Sequence, residues 1–357
     1  VTPLARQLRR QIAQAGPITL AEYMGRCLTD PEHGYYTGRD PLGAAGDFTT
    51  APEISQLFGE MLGLCLAQAW ADQGRPAPVT LAEPGPGRGT LMADILRAGR
   101  AMPGFVEAAR VVLVEASPAL RARQAQTLEG RGARWADSLD ALPEAPLFLV
   151  ANEFFDALPI RQFVRDGAAW RERMVGLDAA GGLAFGLSVP APLAALSGRL
   201  ADTAQGDVVE TCPAAGPAMA AIAGRVARHG GAAVIVDYGG WRSLGDTLQA
   251  VRGHAPADPL DAPGLADLTA HVDFEALACA ARAAGAAVTG PTPQGVLLER
   301  LGITARAQAL AHGLSGPALD ALAGAHRRLT HPDEMGSLFK ALGVVPPGAP
   351  PLPGFDP

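Results

Sequence analysis

Glu83 stands two residues ahead of three alternate glycines, Gly85, Gly87 and Gly89, in the run Val79-Thr80-Leu81-Ala82-Glu83-Pro84-Gly85-Pro86-Gly87-Arg88-Gly89-Thr90. The apolar residues before the acid read as a buried strand and Thr90 opens a helix, so acid and glycines fall where one hands over to the other. Residues without a Cβ allow a tight turn and let a ligand lie against bare backbone. Charge then separates the ligands. A dinucleotide fingerprint needs a small residue where Thr90 stands and offers a helix N-terminus to a pyrophosphate, which Glu83 would repel. A sulfonium with an ammonium gains from a carboxylate at the same place. Spacing and charge together point to S-adenosylmethionine.

A second acid supports this reading. Val111-Val112-Leu113-Val114-Glu115 is a short apolar strand ending in a carboxylate able to accept both hydroxyls of a ribose. Ser117 and Pro118 then start a helix as cap and first residue. Further on, Ala151-Asn152-Glu153-Phe154-Phe155-Asp156-Ala157-Leu158-Pro159 follows the fourth strand and emerges at the same end of the sheet as the glycines. Two acids three residues apart in an apolar loop can hold a guanidinium and aim one nitrogen at a methyl carbon. The acceptor proton need not leave first, because it can be lost as the carbon–nitrogen bond forms. The alternative is that Asn152 caps a turn, Asp156 caps a short helix, and Glu153 alone faces the site.

The elements that must position these groups divide the chain. Residues 1 to about 75 read as helical around one glycine-rich loop, with Thr19/Glu22 and Thr50/Glu53 as capping boxes. Ile54, Leu57, Phe58, Met61, Leu62, Cys65 and Ala69 mark one helical face. From 79 to 151 strands near 79–83, 111–115, 133–135 and 146–151 alternate with helices near 90–98 and 117–128, which is half of a doubly wound parallel sheet. Gln162–Val164, Trp170–Val175 and Leu183–Phe185, punctuated by Asp166-Gly167 and Gly181-Gly182, read as antiparallel hairpins. A helix near 214–228 and the strand Ala233–Tyr238 return to the sheet. Stretches near 285–289 and 294–298 are expected to supply its last two strands, and the Pro/Gly-rich tail after Pro346 is expected to be extended or disordered. The organisation predicted is a helical region over 1–78, an α/β core over 79–156 and 213–300, an inserted hairpin region over 157–212, and a C-terminal segment over 301–357.

Composition sets outer limits. A chain of 357 residues with 48% hydrophobic residues can bury a substantial core, and a net charge of −7 argues against a general nucleic-acid binder. Cys27, Cys65, Cys212 and Cys279 form no C-x-x-C pair and have no clustered histidines, so neither a disulfide framework nor a metal site is expected, and the compartment reads as reducing. Lys340 is the only lysine beside many arginines, a mark of a GC-rich genome. No apolar run approaches a membrane span. Arg6, Arg9 and Arg10 lie on an amphipathic stretch that imitates a presequence but lacks its serines; it reads as a packed helix.

The strings GYY, GDFTTAPEIS, EPGPGRGTL, VEASPAL, ANEFFDALP, VDYGG, TAHVDF and EMGSLFK occur in this order over nearly the whole chain. In them the sequence resembles the MidA-like methyltransferases, a family that includes the mitochondrial complex I assembly factor that symmetrically dimethylates an arginine of a peripheral-arm subunit. Pro84 departs from the family's usual leucine. The resemblance implies a class I, Rossmann-like, seven-stranded methyltransferase sheet with an N-terminal helical region and inserted hairpins. It implies that Glu83, Gly85, Gly87, Gly89 and Glu115 hold S-adenosylmethionine, helped by Asn152 and by Gly46, Asp47, Phe48 and Thr49 folding over it, with Asp137 toward the adenine. It places Glu153 and Asp156 on the acidic substrate loop and His271 on a histidine-bearing loop near the acceptor; a cap or surface role for His271 stays open. Tyr35, Tyr36 and Phe48 either wall the pocket or pack in the core. The implied activity is methylation of a protein arginine, on a subunit of respiratory NADH–quinone oxidoreductase, in a bacterial cytoplasm. Methylation of a small molecule, and a cofactor-binding assembly chaperone with little chemistry, remain alternatives.

Overall fold

Val79–Pro84 and Leu147–Asn152 are buried at every position, as strands covered on both faces must be, and they form the centre of the sheet. The computed structural model describes residues 1–38 and 49–356, which fall into two compact units. One comprises Thr49–Phe155, Gly216–Trp241 and Phe274–Pro357. Its strands are β1 (Val79–Pro84), β2 (Ala109–Val114), β3 (Arg134–Ala136), β4 (Leu147–Asn152), β5 (Gly231–Gly240), β6 (Ala287–Pro293) and β7 (Phe339–Val345). They lie in the order β3-β2-β1-β4-β5-β7-β6. All neighbours are parallel up to β5, and β7 runs antiparallel between β5 and β6. The order reverses between β1 and β4, the switch point where such sheets bind ligands beyond the carboxyl ends of their strands.

Three helices fix the glycine turn that follows β1. Helix α1 (Gln56–Asp72) crosses α2 (Thr90–Gly99) closely because Gly59 and Gly63 leave room for it. A Cβ at Gly59 would stand 2.6 Å from Cβ of Asp94, and one at Gly63 would stand 2.9 Å from Cα of Ile95. Helix α3 (Pro118–Thr127) starts as the sequence predicts, with Ser117 Oγ accepting from the Leu120 N–H. Under α1 the core stacks Trp70, Phe105 and Phe148, with ring centroids 5.7 and 6.3 Å apart in succession. These rings belong to one buried cluster with Leu57, Phe58, Met61, Leu62 and Cys65 of the predicted face.

Several expectations are corrected. Residues 294–298 belong to a helix, Gln294–Arg300, burying Gln294, Leu297 and Leu298 at helical spacing while Val296 is exposed; short apolar runs carry no period that separates strand from helix. The last strand is β7 instead, and its Lys340 sits opposite Asp237 of β5. The tail is not loose over its described residues, because Leu352 and Phe355 are buried in the main core. The helix expected from Thr50 breaks at Ser55, whose extended backbone separates a short helix, Ala51–Ile54, from α1. Thr50 makes no side-chain cap bond. Thr19 does cap Glu22 N–H, at 3.1 Å, but the Glu22 carboxylate accepts from Gln11 rather than closing the box.

The other unit comprises Val1–Phe48, Asp156–Ala215 and Arg242–Asp273. Its strands Arg161–Asp166, Ala169–Leu177, Leu183–Leu187 and Val208–Thr211 pair antiparallel, as the turn residues predict, and Ile18–Thr19 adds to the edge of Ala169–Leu177. The helices Pro3–Ala15 and Leu20–Thr29 bury Leu4, Leu8, Tyr23 and Met24 in the core of this unit. Among the described residues no helix is long and apolar enough to cross a membrane.

The contact at Gly63 is with backbone, which cannot rotate away. Gly63→Val should destabilise the protein by about 2 kcal/mol through overpacking. Denaturant titration measures it, and an unchanged midpoint would show that α1 and α2 separate there without cost.

Candidate active site

The carboxyl ends of β1, β2, β3 and β4 carry Glu83, Glu115, Asp137 and Glu153 in turn, all on one edge because the strands are parallel. Glu83 is 4% exposed, and its Oε2 has no hydrogen-bond partner among the described residues. Burial pushes its carboxyl up to about 8, against a lowering hydrogen bond from the Met92 backbone. Gly85, Gly87 and Gly89 have φ of +60°, +52° and +81°, the left-handed region that favours glycine. The Gly85 N–H donates to Val114 O at 3.0 Å, which ties the turn to β2.

Glu115 is held from two sides. Its Oε1 accepts from Ser117 N at 2.8 Å and its Oε2 from Gln124 Nε2 at 3.2 Å, while burial raises the pKa of its carboxyl. Gln124 is fully buried; its Nε2 also donates to Gly87 O at 2.8 Å, and its Oε1 accepts from Trp135 Nε1 at 2.7 Å. One amide therefore joins the glycine turn, the acid of β2 and strand β3. Nothing in the sequence singled it out, since the i to i+9 relation to Glu115 follows no local rule. Arg121 makes a second bridge, donating to Glu115 O and, at 2.6 Å, to Asp137 Oδ1. Asp137 thus sits at the end of β3 with its carboxylate ion-paired to Arg121 and mostly exposed.

Beyond β4 the backbone of Glu153 is left-handed, with φ +49°, a costly state for a residue with a side chain. Its N–H donates to Val236 O at 3.0 Å, and its Oε1 accepts from Asn152 Nδ2 at 3.2 Å and from Ala51 N at 3.3 Å. Asn152 Oδ1 has no partner among the described residues. Asp237 of β5, completely buried, accepts from Phe155 N at 3.1 Å and from Tyr238 N at 2.9 Å, so it pins the loop that bears Glu153. The sequence offered one sign of it, an acid inside the apolar run Val234-Ile235-Val236-Asp237.

The other residues expected at the site lie as follows. Thr49 is half-buried at the start of the sheet unit, whereas Gly46, Asp47 and Phe48 lie outside the described residues. Asp156 and His271 belong to the second unit. There the Asp156 carbonyl accepts from Ala270 N at 3.0 Å, in a turn rather than at the start of a helix, and His271 N donates to Thr247 Oγ1 at 2.9 Å. Tyr35 is buried in the core of that unit and meets Tyr36 edge-on; the Tyr36 hydroxyl donates to Asp267 at 2.8 Å.

An orphaned buried carboxylate oxygen beside a turn of bare backbone fits a ligand with a cationic amino-acid end, and the held acid of β2 fits a ribose. Sheet order and this edge together define a class I methyltransferase. A family model for S-adenosyl-L-methionine-dependent methyltransferases matches residues 61–292. Protein arginine methyltransferase NDUFAF7, mitochondrial, of Danio rerio is 38% identical over 370 residues, covering 96% of this chain and 86% of its own. The Homo sapiens protein of that name is 37% identical over 373 residues, covering 97% and 84%. A Burkholderia thailandensis protein crystallised bound to S-adenosyl-homocysteine is 35% identical, with TM-score 0.83 over 99% of this chain and 92% of that one. The chain belongs to this family of S-adenosyl-L-methionine-dependent methyltransferases, the MidA-like group that its sequence resembles.

With burial pushing the Glu83 carboxyl up to about 8, binding a ligand ammonium there would draw the proton off that carboxyl at lower pH. Affinity for S-adenosyl-homocysteine should therefore rise between pH 6 and 8, by at most about tenfold per pH unit, and level off above. Glu83→Gln should bind more weakly and lose the slope. Calorimetry in buffers of different ionisation enthalpy reads the released proton, and a flat profile with no proton release would sink this assignment.

Proposed function

We propose that the protein transfers a methyl group from S-adenosylmethionine to an arginine of another protein. The observation that carries the reading is Glu153, an acid kept in a left-handed backbone at the end of β4, beside the strand that ends in Glu83. A strained residue at such a place points to a use for its side chain, and a carboxylate is the natural acceptor for a guanidinium fork. The names of the relatives, protein arginine methyltransferases, support the same acceptor.

When bound, S-adenosylmethionine supplies an electrophilic methyl carbon on a sulfonium. Glu83 and the glycine turn would hold its amino-acid end, Glu115 its ribose and Asp137 would lie toward its adenine. On the strength of the sequence resemblance Gly46, Asp47, Phe48 and Thr49 are assigned to the cofactor, and Asn152, whose Oδ1 has no partner among the described residues, is assigned to it as an acceptor. Glu153 would draw the guanidinium charge to one side and leave the other nitrogen aimed for attack, its proton lost as the bond forms. Asp156 is assigned to the same substrate loop and His271 to the acceptor side on the strength of the sequence resemblance. That resemblance also supports a subunit of NADH–quinone oxidoreductase as the substrate. A bacterial cytoplasm rests on composition and on the free cysteines, while the relatives are named mitochondrial.

Glu153→Gln keeps the acceptor oxygen for Ala51 N–H but removes the charge. It should lower kcat by at least about 100-fold, the scale of an interaction made in the transition state, and leave affinity for S-adenosyl-homocysteine within about threefold. The assay supplies methyl-labelled S-adenosylmethionine and an extract of cells lacking the enzyme, and maps label by mass spectrometry. Label on a small molecule would replace the protein substrate. Absence of label despite cofactor binding would favour a chaperone.

A further inference from the structure

Glu53 is placed by the sequence as the second half of a capping box, yet its carboxylate leaves its own helix. Oε1 accepts from Thr90 Oγ1 at 2.7 Å, and Oε2 lies 3.8 Å from Arg88 Nη1. These two residues flank Gly89, the last left-handed glycine of the turn, and Thr90 is the first residue of α2. The carboxylate is largely buried, at 18% side-chain exposure, and the Arg88 side chain is 24% exposed. The short helix that carries Glu53 is fastened at its other end as well, by Ala51 N–H on the Glu153 carboxylate. Four residues, Ala51 to Ile54, thus join the two segments of this unit that do the chemistry: the turn after β1 and the loop after β4.

We infer that Glu53 is a positioning residue for the cofactor turn, holding Gly89 through Thr90 and Arg88 and linking the turn to the loop that bears Glu153. A hydroxyl donating to a largely buried carboxylate is a charge-assisted bond, stronger than a neutral pair and directional. Without it the start of α2 keeps its backbone bonds but loses the side-chain tether that sets where the turn lies. The inference deepens the cofactor part of the proposed function and is independent of the acceptor, because it is read from cofactor binding alone.

The test is a double-mutant cycle on the full chain, with S-adenosyl-homocysteine as the probe in calorimetry and a melting curve for each variant. Glu53→Ala and Thr90→Val should each weaken binding by about tenfold, and the pair together should weaken it by little more, because both remove one interaction. Glu53→Gln, which keeps an acceptor for Thr90, and Thr90→Ser, which keeps the donor, should both bind within about threefold of the wild type. Wild-type affinity in Glu53→Ala, or losses that multiply in the double variant, would overturn the inference. So would conservative variants that bind as poorly as the alanine variant with a matching loss of melting temperature. If none of the proteins, wild type included, bound S-adenosyl-homocysteine, the cofactor reading itself would fall, a result distinct from all of these.

Discussion

A carboxyl group sealed at the end of the central strand costs several kcal/mol to ionise unless a cation meets it, and the surroundings of Glu83 are organised around that cost. Strand β1 is buried throughout, so the acid cannot turn to water. Among the described residues one of its oxygens has no hydrogen-bond partner, and the glycine turn that follows gives access to backbone. The price is tolerable only in a fold whose other parts hold the turn still. The Gly59 and Gly63 contacts set the distance between α1 and α2, while Gln124 holds the turn at Gly87 and Glu53 holds it at Thr90.

The same logic governs charges farther from the site. Glu60 of α1 is 3% exposed and ionised, its pKa lowered by Arg306 and Arg97, with Arg97 also meeting Asp94. Burial on its own would raise it; the two guanidiniums outweigh that. Removing either partner would leave a buried charge poorly compensated, which is far costlier than the net value of the pair. Glu83 and Glu60 thus show two outcomes of burying a carboxyl in one unit: the pKa of the first is raised by burial, and that of the second is lowered by two guanidiniums, one of which ties α1 to α2.

What the sequence revealed was local. Strand, acid, glycines and helix lie within a dozen residues, so the strand, its glycine turn and the helix after it could be read from 79 to 90, and Ser117-Pro118 announced α3. Hairpins were legible from Asp166-Gly167 and Gly181-Gly182 because turns need particular backbone angles. Long-range pairing was not legible. β7 becomes a strand because β5, about a hundred residues earlier, offers it an edge, and 294–298 lacks such a partner and stays helical. Glu53 matched a capping motif by spacing but was drawn away by Thr90, 37 positions distant. Gln124, Arg121 and Asp237 were given no role for the same reason: Gly87 and Trp135, Asp137, and Phe155 respectively are brought to them by the fold.

The Gln124 amide has a consequence for optical work. Its nitrogen is committed to Gly87 and Glu115, so its oxygen must face the Trp135 indole, and the side chain cannot flip without breaking three bonds. The excited state of an indole responds to the dipole at its N–H. Trp135 is therefore a built-in chromophore wired through one amide to the acid at the end of β2, whereas Trp70 and Trp170 are buried in hydrophobic cores. With those two and Trp241 replaced by phenylalanine, the emission of Trp135 would follow events at the glycine turn and at Glu115 without any attached dye.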